Sequence, residues 1–202
     1  SPVTAFGVYM GMKASAKFKW GSDCLKDKKI LIQGVGHVGE NLVKHVSDEG
    51  AKVFITDINQ KKLEEVADKY NSEIVSGDGI YDMEMDIYAP CALGSTLNTD
   101  TINRLKCSIV AGAANNQLAD EFIHSKLIFE RGIVYAPDFL INAGGLINVY
   151  SELKGYDRSQ SIKKTEKIFE TTLEILLKAE QENITTHDAA FIIAEQRIKS
   201  HI

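Results

Sequence analysis

Short apolar runs alternate with amphipathic stretches along the first two thirds of the chain. Strand-like runs lie near 29–33 and 52–56, then at 73–75, 86–89, 107–111 and 133–136. Most are bounded by Gly, Asp, Asn or Ser, the residues that end strands. Between most of them apolar positions recur at helical spacing, over about 37–49, 60–70, 98–105 and 118–131. A first helix is expected over about 3–19, where Pro2 and Thr4 suit an opening turn and Phe6, Val8, Met10, Met12 and Ala16 supply apolar faces. Alternation of this kind calls for a parallel sheet with helices on both faces. The link 76–85 is short for a helical crossover, and the pattern leaves its form open. After Asn142 the strands stop. A long helical stretch follows over 159–182, with Ile162, Ile168, Phe169, Leu173, Leu176 and Leu177 on one broad stripe that reads as core packing. Thr185-Thr186-His187-Asp188 offers an N-cap to a last helix, so the C-terminal helices occupy about 159–200.

The first strand runs straight into Gly34-Val35-Gly36-His37-Val38-Gly39, and Asp57 closes the second strand, Val53-Phe54-Ile55-Thr56-Asp57. This is the spacing of a dinucleotide-binding turn in its proper strand–turn–helix context. Gly34 permits the turn, Gly36 lets the backbone approach a pyrophosphate, and Gly39 lets the next helix pack on the sheet. The freed N–H groups and the helix dipole then favour an anion. The expected fold is α/β, a Rossmann-type doubly wound sheet. It has six mostly parallel strands in the order 3-2-1-4-5-6, helices on both faces and extra C-terminal helices. A carboxylate at Asp57 suits the ribose hydroxyls of NAD and repels the 2′-phosphate of NADP. Lys61 and Lys62 weigh slightly the other way. NAD is the expected cofactor.

The 202 residues carry a net charge of −5 without a basic patch, which argues against a nucleic-acid partner. The apolar runs are too short for a membrane span. Cys24, Cys91 and Cys107 are odd in number and far apart, and neither a Cys-x-x-Cys nor a His pair has metal-ligand spacing. No metal is expected, and a reduced cytoplasmic setting fits. No signal peptide is read, and the opening Ser1-Pro2-Val3-Thr4 looks like the interior of a longer protein.

Ligands of an open parallel sheet bind outside the carboxyl ends of its strands. Three segments fall there: Ala89-Pro90-Cys91-Ala92, Gly112-Ala113-Ala114-Asn115-Asn116-Gln117, and Pro137-Asp138-Phe139-Leu140-Ile141-Asn142-Ala143-Gly144-Gly145. Small residues let a flat cofactor lie against the backbone. Asn side chains both donate and accept, which suits ribose, carboxamide or carboxylate; each also suits a turn or a cap. Cys91 lacks a base and reads as a packing or cofactor-lining thiol. His37 lies in the glycine loop, either near phosphate or solvated. His45, His124, His187 and His201 read as surface or helix positions.

These segments, with Ser1-Pro2-Val3-Thr4-Ala5 and the glycine turn, resemble the glutamate/leucine/phenylalanine/valine dehydrogenase family over essentially the whole chain, in order and spacing most like its leucine-dehydrogenase branch. The resemblance implies the reversible NAD-dependent oxidative deamination of an L-amino acid to a 2-oxo acid and ammonia. It implies that Gly34, Val35, Gly36, Gly39, Asp57 and Ile58 hold adenosine and pyrophosphate, and that Cys91 and Ala92 line the adenine side. Thr4 would contact the nicotinamide carboxamide, and Ala114 and Asn116 the nicotinamide ribose and substrate. Leu146 and Val149 match the positions that line the substrate side-chain pocket. Both are apolar, which fits leucine, valine or isoleucine, and Leu146 is bulkier than the expected valine. The family's catalytic lysine and aspartate stand in motifs of an N-terminal domain, and those motifs do not occur here. Residues 1–202 are therefore expected to form one NAD(P)-binding domain without catalytic groups, inactive alone, with the full-length protein a homo-oligomer. A nucleotide-sensing module on the same fold stays open. A hydroxy-acid dehydrogenase would want a His–Asp or His–Glu pair on the rim loops, and none is found.

Overall fold

The computed structural model describes residues 2–92, 94–153 and 158–199, with Asn148, 151–153 and 158–160 described by backbone alone. Its elements are α1 (Pro2–Trp20), β1 (Lys29–Gln33), α2 (His37–Asp48), β2 (Lys52–Thr56), α3 (Gln60–Tyr70), β3 (Glu73–Ile74), β4 (Ile87–Pro90), α4 (Thr99–Arg104), β5 (Ile109–Val110), α5 (Glu121–Glu130), β6 (Val134–Tyr135), α6 (Asp138–Ile141), α7 (Gly144–Leu153), α8 (Arg158–Glu182) and α9 (Thr186–Lys199). The six strands form one sheet in the order β3-β2-β1-β4-β5-β6, and each pairing is parallel. This is the expected doubly wound order. The outer strands are shorter than the apolar runs that announce them, because the ladder closes over only two residues in β3, β5 and β6.

β1 lies at the centre and is buried on both faces, as an apolar strand in a parallel sheet must be. Ile30 and Ile32 join a cluster with Val8, Met12, Leu42 and Val46 on the face covered by α1 and α2. Leu31 points the other way, to Tyr88, Leu97, Ile102 and Tyr135. Alternation by two along one strand thus feeds two cores. α3 starts where the Asn59 side chain accepts the Lys62 N–H at 3.1 Å and stops at Asn71, in the left-handed region at φ +51°.

The structure settles two points that the pattern left open and corrects one. The link after β3, whose form the pattern left open, is a single 3-10 turn, Asp78–Asp82. Arg104 holds it from α4, with ion pairs of 2.6 Å to Asp78 and 2.7 Å to Asp82. On α8 the core stripe runs through Ile168, Ile175, Leu176 and Ala179, while Leu177 is exposed, because α1 and α9 both pack on this helix and rotate the buried face toward Ile175. Of the alternatives left for His124 and His187, the structure selects the helix: both lie on helices and are buried. Nδ1 of His124 accepts the Asp120 N–H at 2.8 Å, and His187 is buried between Phe139 and Phe191, 3.7 Å from Glu121. His45 is half-buried and stacks on Tyr9, and burial holds its pKa below the usual histidine range. His201 lies outside the described residues.

Candidate functional site

The carboxyl ends of β1, β2, β4, β5 and β6 open onto one rim. Gly34 leaves β1 at φ +102°, a conformation L side chains rarely adopt, and a Cβ on it would stand 2.6 Å from the Ala92 Cβ. A Cβ on Gly39 would stand 1.9 Å from the Gly34 carbonyl oxygen, so α2 presses directly on the turn. At Gly36 a Cβ would meet nothing within 4 Å. The turn is therefore tight on both sides and open at its middle glycine. Gly36 also caps α2 without any side-chain hydrogen bond, which leaves the helix N-terminus available to an anion. His37, the first residue of α2, is exposed.

Asp57 closes β2 beside this turn. One carboxylate oxygen accepts the Val35 N–H at 2.7 Å and the other accepts the Asn59 N–H at 2.8 Å. The acid thus braces the glycine loop from the neighbouring strand. Ile58, next to it, is fully exposed. Lys62 is engaged elsewhere, 2.7 Å from Glu40 on α2.

Across the strand-order switch, Cys91 donates its N–H to the Gln33 carbonyl at 2.7 Å and lies beside Gly39. Burial pushes the Cys91 thiol up to about 12, so it stays protonated and serves packing rather than nucleophilic attack. Ala114 is buried and donates its N–H to the Pro90 carbonyl at 2.9 Å. Asn116 is exposed on the rim at φ +51°. The two Asn-bearing loops meet directly: Nδ2 of Asn142 donates to Oδ1 of Asn115 at 2.6 Å. Thr4, in the first turn of α1, reaches the same corner, its Oγ1 lying 3.1 Å from where a Cβ on Gly145 would be.

The fold therefore brings Thr4, Gly34, Val35, Gly36, Gly39, Asp57, Ile58, Cys91, Ala92, Ala114 and Asn116 to one edge. Leu146 and Val149 project from α7 and are 74% and 53% exposed, so the described residues do not enclose them in a pocket. Sequence reasoning passed over Asp138 and Gln117. Both are buried polar residues within the rim segments, and that polarity is the signal that could have singled them out. An apolar hollow of about 250 Å3 lined by Phe18, Phe129, Ile133, Leu176 and Ile184 lies at the opposite ends of the strands, away from every candidate residue. Among the described residues no three His, Cys, Asp or Glu gather to hold a metal, and no helix is long and apolar enough to cross a membrane.

Comparison with known proteins places these features in a family. Residues 1–201 match the Glutamate/Leucine/Phenylalanine/Valine dehydrogenase family. The chain is 51% identical over 199 residues to the leucine dehydrogenase of Thermoactinomyces intermedius, covering 98% of this chain and 54% of that protein. It is 44% identical over 200 residues to the L-tryptophan dehydrogenase of Nostoc punctiforme, covering 99% of this chain and 57% of that protein. The crystal structure of L-tryptophan dehydrogenase from Nostoc punctiforme superposes with a TM-score of 0.96, over 98% of this chain and 60% of that one. The chain spans little more than half the length of the curated relatives it matches.

Proposed function

Because the chain belongs to the glutamate/leucine/phenylalanine/valine dehydrogenase family, we propose that it is the NAD-binding domain of an amino-acid dehydrogenase acting on leucine, valine and isoleucine. The reaction is the reversible oxidative deamination of the L-amino acid to its 2-oxo acid and ammonia. The observation that carries this reading is the rim at β1 and β2, where open space over Gly36, the uncapped start of α2 and the Asp57 carboxylate converge. A dinucleotide fits these groups. The backbone of the glycine turn takes the pyrophosphate. Asp57 takes the ribose hydroxyls, and Ile58, Cys91 and Ala92 flank the adenine. Thr4 holds the carboxamide, and Ala114 and Asn116 lie along the nicotinamide ribose. Bound NAD supplies a hydride acceptor.

At the nicotinamide end the rim residues of this reading, Thr4, Ala114 and Asn116, carry a hydroxyl, a methyl and an amide. They orient and exclude water, and they do not move protons. In this reading the acid–base groups come from a further domain, a proposal consistent with the 54% of the Thermoactinomyces protein that the chain covers. Leu146 and Val149 present an apolar face to the substrate side chain and reject a glutamate side chain, whose charge would be left unpaired. A cytoplasmic homo-oligomer belongs to the same reading, in keeping with three unpaired cysteines.

Calorimetric titration of the chain with NADH and NADPH tests the assignment. NADH is expected to bind more tightly. Asp57→Ser is expected to narrow the gap by removing the charge that faces the 2′-phosphate. Equal or tighter binding of NADPH by the parent chain overturns the cofactor reading. The chain alone is expected to produce no NADH from leucine, because absent acid–base groups are worth about 10²–10⁴-fold in rate.

A further inference from the structure

We propose that Asp138, seconded by Asn142, is a positioning residue that sets the Asn116 side chain for the nicotinamide end of the cofactor; the inference rests on the cofactor reading above. Asp138 opens α6 and is buried. One carboxylate oxygen accepts the Gln117 N–H at 3.0 Å and the other the Phe139 N–H at 2.7 Å. The peptide that joins Asn116 to Gln117 is thereby pinned on one side. It is pinned on the other by its carbonyl, which accepts the Ser95 N–H at 2.7 Å. With both ends of that peptide held, the backbone of the left-handed Asn116 is fixed, and with it the direction in which its side chain leaves the loop.

The neighbouring bonds act the same way. Asn142 donates to Asn115 at 2.6 Å, and the buried Gln117 amide donates to the carbonyls of Gly112 and Ala114 at 2.9 and 3.0 Å. A cavity of about 10 Å3, lined by Asn116, Leu118, Glu121, Tyr135, Asp138 and His187, lies directly behind the loop. A carboxylate is the side chain this task requires, since it accepts two N–H bonds and donates none. An asparagine of the same shape has one accepting oxygen, so its NH2 would confront one of the two amides.

Asp138→Asn is therefore the informative variant, titrated with NADH and with ADP-ribose, which lacks nicotinamide. The expected result is about a tenfold loss of NADH affinity with ADP-ribose affinity unchanged within about twofold. Equal losses for both ligands, or none for either, overturn the positioning role. If Asp138→Asn fails to fold by circular dichroism, Asn115→Ala and Asn142→Ala carry the test, since their bond lies at the exposed rim. Each is expected to weaken NADH alone, and the double variant no more than either single one. Additive losses, or losses shared with ADP-ribose, overturn the inference. A parent chain that binds neither ligand refutes the cofactor reading itself, and the positioning role falls with it.

Discussion

At the β1–β2 half of the rim the chain closes on itself. Gly39 abuts Gly34, Gly34 abuts Ala92, and Asp57 fills both its carboxylate oxygens with backbone N–H groups. At the α7 end the opposite holds: Leu146, Val149 and Tyr150 stand 74%, 53% and 47% exposed on one helix. Apolar area left in water forgoes about 25 cal/mol per Å2, so an exposed apolar face is tolerated where something else covers it. On the function proposed above, the difference teaches that a dinucleotide would be held by the local chain, whereas a substrate side chain would need a second surface.

The sharpest way to break this comparison is to fill the tight half. Gly39→Ala puts a methyl against a backbone oxygen that cannot move away, and a loss of about 3 kcal/mol in stability is expected by denaturant unfolding. Gly36→Val meets open space, so the same measurement should show little change. Its cost falls on the ligand instead, with NADH affinity lowered about 100-fold or more in calorimetry. Undiminished NADH binding by Gly36→Val would sink the assignment of the turn.

A second test asks whether the rim is separable from the rest of the fold. Glu49 lies at the opposite strand ends, where it accepts from Tyr9 at 2.5 Å, Lys13 at 2.9 Å and the Leu25 N–H at 2.9 Å. Burial pushes its carboxyl up, and these bonds outweigh burial and hold it below the usual glutamate range. A lowered folded-state pKa stabilises above the unfolded value, and that contribution is lost as pH falls through the folded value. Glu49→Gln is expected to cost about 1–2 kcal/mol near neutrality. The gap to the parent should close on acidification below the ordinary glutamate range, with NADH affinity unaltered throughout. A matching drop in NADH affinity would mean the two rims are coupled.

The smallest effect is expected at the open half. Leu146→Ala should shift the stability of this chain by no more than about 0.5 kcal/mol, since the side chain is mostly in water already. Its consequence should appear only in a full-length dehydrogenase, as a shift toward larger side chains across a panel of L-amino acids. A large destabilisation of the chain alone would show that this face is already part of its core.

The strand order and the glycine turn were legible because each rests on local patterning. Apolar runs in alternation with helical periods leave few topologies, and a strand followed by Gly34, Gly36 and Gly39 is a signal confined to about ten residues. The 3-10 turn at Asp78–Asp82 was not legible. It depends on Arg104, 22 and 26 residues from its partners Asp82 and Asp78. The burial of His124 and His187 was hidden for the same reason, since His124 meets Thr99 from 25 residues away and His187 reaches Glu121 from another helix.

The sequence by itself determined the class of fold, the order of the sheet, and the place of the glycine turn, for these follow from periodicity and from residues a few positions apart. Only the tertiary structure decided that Asp57 braces the loop it faces, that Asn115 and Asn142 share a hydrogen bond, and that Asp138 pins the peptide after Asn116. Each of these bonds joins segments 21 to 27 residues apart. Their geometry exists only once the parallel strands have brought the loops to a common edge, and pattern along a chain carries no record of which side chain will face which N–H across that edge.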